Sequence, residues 1–393
     1  MFKKYFFYFF LLLSVLFLNA CNDSPSDIGD DLLAIDDVIV LNIDSATDSL
    51  IQTSNTYKKI ENLGSASEIY LGKAENITSH ILIQFVFALP DSIQEDLINN
   101  NINVLESWVE LTKEYSFGDT LGTFEYEAFQ VNQAWNSSTF TSDSLQYLSV
   151  GNVNLASNPS VENDSIYSFS LDNSVAQSWL LSNADTSLAT NHGILISPTQ
   201  STQQVIGFTA YNISATNDAQ LKIIVNKPGV YQDTIIGYVA SDLSVIEGDV
   251  PTVSVGDISV QPGLAAHSKL YIDLSEIPKN TVINSAELTL TVDSAYTVTG
   301  SSYTNALRVY LFSDSASQEI NTSYVYTLSR SGNTFTGVIT NIVRAIASGV
   351  DNQGFLVKAY NDLSGLEIFA MKGSNATNYN QRPKLKIIYS GKK

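Results

Sequence analysis

The feature that most constrains this 393-residue chain is an internal duplication, because two matched copies must fold alike. Asp48-Ser49-Leu50-Ile51 is echoed by Asp233-Thr234-Ile235-Ile236. His80 precedes an alternating apolar run, Ile83, Phe85, Phe87, that ends in Leu89-Pro90, and His267 precedes Leu270, Ile272, Leu274, which ends in Ile277-Pro278. Glu110-Leu111-Thr112 recurs as Glu287-Leu288-Thr289, and Asn191-His192-Gly193-Ile194-Leu195-Ile196 as Asn352-Gln353-Gly354-Phe355-Leu356-Val357. Each copy closes on Leu-Lys-Ile-Ile, at Leu221 and at Leu385. Matches that keep their order and spacing define copies over 36–226 and 230–391, with a seam at the turn dipeptide Pro228-Gly229.

Within each copy the dominant period is two. Leu288, Leu290, Val292 and then Leu307, Val309, Leu311 alternate with polar residues, as half-buried strands do. Repeated short strands between polar turns describe an antiparallel sandwich or barrel. Helical spacing appears once per copy, over 174–182 with Val175, Trp179 and Leu180 and over 341–348 with Ile342, Val343 and Ile346. Asp172 or Asn173 is the expected cap of the first helix, and Thr340 or Asn341 of the second. The expected architecture is all-β: two tandem antiparallel sandwiches, each with one short helix.

Residues 1–20 are set aside from the fold. Lys3 and Lys4 precede an apolar stretch too short to span a bilayer comfortably, which reads as a secretion signal. The junction Leu18-Asn19-Ala20-Cys21 resembles the lipobox of bacterial lipoproteins, which implies that Cys21 is lipidated and becomes the first mature residue. A lipid anchor places the protein on a membrane, the bacterial outer membrane being the expected one, facing the periplasm or the cell surface. Residues 21–35, with Asp23, Asp27, Asp30 and Asp31, form an acidic tether. They read equally as a self-repelling linker and as an export signal similar to that of Bacteroidota surface lipoproteins.

Asp followed by Ser or Thr and a small or apolar residue occurs nine times, which places Ser45, Ser49, Ser92, Thr120, Ser144, Ser165, Thr234, Ser294 and Ser315 in that context. The triplet is similar to the O-glycosylation acceptor of Bacteroidota; it also favours turns that start a strand.

The order apolar-x-apolar-x-apolar, Ile/Leu-Pro, Glu-Leu, short helix, Asn-x-Gly, Pro-x-Leu-x-Ile resembles the DNRLRE or disaggregatase-related domains, which are similar to family 96 carbohydrate-binding modules. Residues 270–274, Ile277-Pro278, Ala286-Glu287-Leu288, 352–356 and 382–387 carry it best. The first copy lacks the Pro before its Leu-Lys-Ile-Ile and holds an insertion around 94–101. The resemblance implies a jelly-roll β-sandwich in each copy and, more loosely, sugar binding.

Catalytic and metal signatures are scarce. Twenty Lys+Arg against 40 Asp+Glu, a net charge of −20, and no basic run exclude nucleic acid as a partner. Three histidines and one cysteine make neither a zinc set nor a nucleophile with its base. His80 and His267 hold equivalent positions, which indicates a structural role at a strand entry. Glu125 and Glu127 alternate as one solvated face, and no cofactor is implied. Jelly rolls often hold structural calcium, but no spacing here points to it. A sugar would need aromatic faces beside hydrogen-bonding side chains. The candidates are Trp135, where the resembled family often has a Trp before a polar turn, and the turn residues Tyr115, Tyr296 and Tyr303. Trp108 and Trp179 read as packed. The expected function is non-catalytic binding of glycan or another envelope polymer. The alternatives are a structural or adhesive protein that recognises protein partners, and an envelope polysaccharide hydrolase or lyase.

Overall fold

The computed structural model describes residues 38–392 except 46, 49, 212–216 and 280. The signal segment, the tether, Cys21 and Ser49 lie outside the described residues. The first copy contributes β1 (Val38–Asp44), β2 (Gln52–Lys58), β3 (Glu68–Ala74), β4 (Ile77–Phe87), α1 (Asp91–Ile98), β5 (Asn103–Gly118), β6 (Tyr126–Gln130), α2 (Ser142–Leu145), β7 (Ala156–Glu162), β8 (Ile166–Leu171), α3 (Asn173–Ala184), β9 (Ile194–Pro198), β10 (Gln204–Thr209) and β11 (Gln220–Lys227). The second contributes β12 (Tyr231–Gly248), β13 (Ile258–Val260), β14 (Ala266–Ile272), β15 (Val282–Thr291), β16 (Ala306–Asp314), β17 (Glu319–Ser331), β18 (Thr334–Val338), α4 (Thr340–Ala347), β19 (Phe355–Ala359), β20 (Phe369–Met371) and β21 (Lys384–Lys392). The protein is an all-β sandwich, and its named strands pair antiparallel.

Alternation explains the strands and its breaks explain their bends. In β15 the buried residues are Ile283, Ala286, Leu288 and Leu290, and the period of two fails only between Ile283 and Ala286. The ladder with β21 shifts register at that point, between Ile283 and Ser285, so the bulge restores the apolar phase. Helices α3 and α4 stand where helical spacing placed them. Asp172 caps α3, its carboxylate accepting from Ser174 N at 2.8 Å. The cap of α4 differs from expectation: Ile339 holds the N-cap position and the Thr340 hydroxyl accepts from Ala286 N instead, 3.0 Å away. The first copy also carries α1 and α2, so it does not have the one helix expected of it. Its insertion around 94–101 folds as the end of α1, which buries Ile93 and Leu97.

The Asn-x-Gly motif works identically in both copies. Asn191 Nδ2 donates to Phe85 O (3.0 Å) and its Oδ1 accepts from Gly193 N (2.7 Å). Asn352 does the same with Ile272 O (2.9 Å) and Gly354 N (3.3 Å). Gly193 and Gly354 have φ of +82° and +86°, and a Cβ at Gly193 would stand 2.0 Å from Ile83 O. Each motif thus pins the start of β9 or β19 against the strand before it, at a place that only glycine fits.

The sequence copies and the sheets do not coincide. β12, which opens the second copy, pairs with β11 and with β4, so it completes the ladder of the first. β1 and β2, which open the first copy, pair with β21 and β14 and complete the ladder of the second. The seam at Pro228-Gly229 is the tip of the β11–β12 hairpin, where Lys227 faces Tyr231. Ile235 lies opposite Ile223, and Ile43 lies opposite Ile387, so Ile43 rather than Leu50 is the spatial counterpart of Ile235. Two cores result. One gathers Phe85, Phe169, Trp179 and Phe208, the other Phe335, Phe355 and Phe369. A smaller cluster of Tyr70, Tyr115 and Phe117 with Leu264, Leu366 and Ile368 joins them.

Candidate functional site

A groove of about 500 Å³ opens over β5, β8 and β7. Its residues follow from strand phase. Val109 and Leu111 of β5 point into the core, so Trp108 and Glu110 point outward. Trp108 lies opposite Ser170 of β8, and Ser168 lies opposite Glu110. Strand β7 is exposed along its edge, and its ladder with β8 skips from Ser157 to Ser160. That bulge holds Asn158 at φ +48° and brings its carboxamide 3.5 Å from the Ser170 hydroxyl. Ser160 and Ser168 hydroxyls stand 2.8 Å apart. Glu106, Asp172 and Asn173 line the groove as well.

The indole is held in place. Trp108 Nε1 donates to Glu110 Oε1 (2.7 Å), and Lys222 Nζ binds Glu110 Oε2 (2.6 Å). Burial acts to raise the Glu110 carboxyl, but these two donors outweigh it and hold the group below the usual carboxylate range. At the groove's end the Ser174 hydroxyl and backbone N–H keep the Asp172 carboxyl low. The lining contains no Lys, Arg or His, so the groove offers an aromatic face, hydroxyls, carboxamides and carboxylates, and no positive charge.

The aromatic residues expected to bind ligand are not gathered here. Tyr115 is buried where the two cores meet, its hydroxyl 3.5 Å from Glu367 Oε1 and accepting from Leu366 N, so its turn-like sequence context was misleading. Trp135 is half-buried, packs edge-on to Phe140 at 6.5 Å and donates from Nε1 to His192 O at 2.9 Å. It fastens a loop rather than lining the groove. Tyr296 and Tyr303 are exposed as expected. Tyr296 lines a separate cleft with Glu75, Asn76 and Asp249, and Tyr303 leans on Phe369. Trp108, read as packed, is the residue that sequence reasoning missed; its phase with Glu110, against Val109 and Leu111, was the available signal.

The remaining candidates sort by exposure. Ser92, Thr120, Thr234 and Ser294 are exposed, whereas Ser144, Ser165 and Ser315 are half-buried. Ser45 is buried, donating to Pro383 O and accepting from Leu385 N, so a sugar there would break both bonds. His80 and His267 each reach toward the neighbouring strand. His80 Nδ1 meets Ser197 Oγ at 3.0 Å and its Nε2 lies 3.4 Å from Glu247, with burial holding the imidazole below its ordinary range. His267 Nε2 meets Asp362 at 3.0 Å, and Asp362 also binds Lys358, which occupies the place of Ser197 in the second copy. Glu125 and Glu127 are both exposed. Among the described residues no three His, Cys, Asp or Glu side chains stand together as a metal site, and no helix is long and apolar enough to cross a membrane.

Comparison with family models finds no match for this chain, and comparison with curated proteins finds none either.

Proposed function

We propose that this chain is a lipid-anchored envelope protein whose first sandwich binds neutral glycan without catalysis, through the groove over β5, β8 and β7. The observation that carries the reading is Trp108: an indole fixed by Glu110 in a groove whose lining also holds Ser and Asn side chains and carboxylates beside Leu105, Phe169 and Leu171. An aromatic face takes the apolar face of a sugar, and the surrounding groups take its hydroxyls. Glu106 and Asp172, with no cation in the lining, favour neutral chains over polyanions. The Leu-Asn-Ala-Cys junction supports anchoring, and the resemblance of both copies to carbohydrate-binding modules supports the ligand class.

A glycan array probed with the mature protein should give hits among neutral polysaccharides. Trp108→Ala should weaken them several-fold to about tenfold, the equivalent of ~0.5–1.5 kcal/mol for one stacking contact. Trp135→Phe should leave them unchanged. An array blank across neutral and acidic polymers would remove this reading and leave the adhesive one. Fatty-acid labelling lost in Cys21→Ser checks the anchor.

A further inference from the structure

Strands β16 and β19 set two cations face to face on the outer side of the second sandwich. Arg308 lies directly opposite Lys358 in their ladder, and each stands between residues of the second core, Leu307 and Val309 on one strand and Val357 and Ala359 on the other. Like charges directly opposite one another destabilise a sheet, and basic residues are half as many as acidic ones in this chain. The fold does not require the pair: at the matched position of the first copy, in the β6–β9 ladder, Glu127 lies opposite Ser197. Lys358 is compensated by Asp362. Arg308 is not, since among the described residues none of the ion pairs includes it. All four arginines of the chain fall in the second copy. Arg330, Arg344 and Arg382 each donate from Nε to a backbone carbonyl, those of Gly332, Ile283 and Ala376. Arg308 instead meets the Tyr310 hydroxyl at 3.4 Å, and its guanidinium lies over the Tyr360 ring, 4.5 Å from the centroid. Tyr360 is 41% exposed, and Thr327, opposite Arg308 on β17, is exposed as well. The second copy therefore presents a guanidinium fork, steadied by an aromatic ring, that fastens no part of the backbone and neutralises no carboxylate of its own.

We propose that this face binds the carboxylate of a uronic acid unit in a glycan. The two carboxylate oxygens accept from the Arg308 fork, whose planar donors match them in pairs, with the Lys358 ammonium beside it. The sugar ring rests against the exposed part of Tyr360, and a ring hydroxyl meets Thr327. Isolated uronic units suit the site better than a dense polyanion. The net charge of −20 repels a polyanion along its whole length, whereas a single carboxylate at contact with Arg308 is screened from charges beyond about 8 Å at physiological ionic strength. The site lies on the second sandwich, apart from the groove, and does not depend on it.

The test uses the four arginine Nε–H resonances of the full-length protein labelled with ¹⁵N-arginine, in mildly acidic buffer, the Arg308 signal being assigned by its loss in Arg308→Lys. Methyl glucuronide should move the Arg308 signal in a saturable way and leave those of Arg330, Arg344 and Arg382 in place. Methyl glucoside, which has the ring without the carboxylate, and acetate, which has the carboxylate without the ring, should each shift it at least tenfold less at equal concentration. Tyr360→Ala should keep the Arg308 signal and weaken the glucuronide response several-fold, while Trp108→Ala, which empties the groove of its indole, should leave that response unchanged. An Arg308 signal that stays in place, that follows the glucoside equally, or that responds to glucuronide as strongly in Tyr360→Ala overturns the proposal. An equal response to acetate also overturns it, because the face would then take any carboxylate, an acidic peptide included.

Discussion

At the scale of single residues the most informative positions are those that repeat. Asn191 and Asn352 each satisfy a strand carbonyl and a glycine N–H, so truncation leaves both groups without their partner. Asn191→Ala and Asn352→Ala are each expected to destabilise the protein by about 1–3 kcal/mol, read from urea unfolding midpoints. Gly193→Ala should be worse than Gly354→Ala, because its Cβ would meet a backbone oxygen at 2.0 Å rather than 2.9 Å, in a conformation already unfavourable for a side chain. Equal stability losses for the two glycine variants would contradict this geometry. Trp108 makes the complementary point. Its neighbours in sequence placed it on the solvent face of β5, but only the ladder with β8 puts Ser168 and Ser170 beside it, and only the bulge in β7 brings Asn158 there.

Among elements, β12 and the pair β1 and β2 decide how the molecule is assembled. A chain that begins at residue 59 retains every strand of the first ladder and loses the two that flank β21 and β14. Hydrogen exchange on such a truncation should find β4, β5 and β11 protected as in the intact protein, and β14 and β21 exchanging much faster. Uniform loss of protection would mean that the two ladders fold only as one unit. The helices are more local devices. Asp172→Ala removes the α3 cap and is expected to cost about 1 kcal/mol, whereas Thr340→Ala acts through β15, whose Ala286 N–H loses its acceptor.

For the whole molecule the exchange of first strands predicts how it comes apart. A protease that nicks the exposed β11–β12 turn should leave fragments that stay associated in native buffer and separate only in denaturant, because each fragment holds a strand of the other's ladder. Elution as two independent pieces would refute the pairing. The junction between the cores adds a pH dependence. Burial pushes the Glu367 carboxyl up to about 7, with Glu68 nearby acting in the same direction. Between about 4.5, the usual value, and about 7, the folded state keeps a proton that the unfolded state releases, so stability should fall as pH rises through that window and level off above it. Asp242, raised by burial to about 6, adds to the same trend, while Asp362 is held low, against burial, by His267 and Lys358 and loses its contribution only in acid. Unfolding midpoints measured across this range should flatten in Glu367→Gln; an unchanged slope would remove Glu367 as the cause.

Period-two alternation, the helical spacing that interrupts it once per copy and the ordered repeats determined, from sequence alone, that the chain is all-β, where α3 and α4 fall, and that two copies share one strand plan. Those are local properties, set by which side of a strand each residue faces. What the sequence could not decide is which ladder each first strand joins. The closing motifs of both copies, Leu221-Lys222-Ile223-Ile224 and Leu385-Lys386-Ile387-Ile388, present nearly the same edge, so either first strand matches either one. Chain connectivity breaks the tie. The short turn at Pro228-Gly229 zips β12 onto β11 as a hairpin, and β1 pairs with the edge that remains, on β21. The groove is tertiary for the same reason, since residues from three strands meet there only after the ladder and its bulge have set their register.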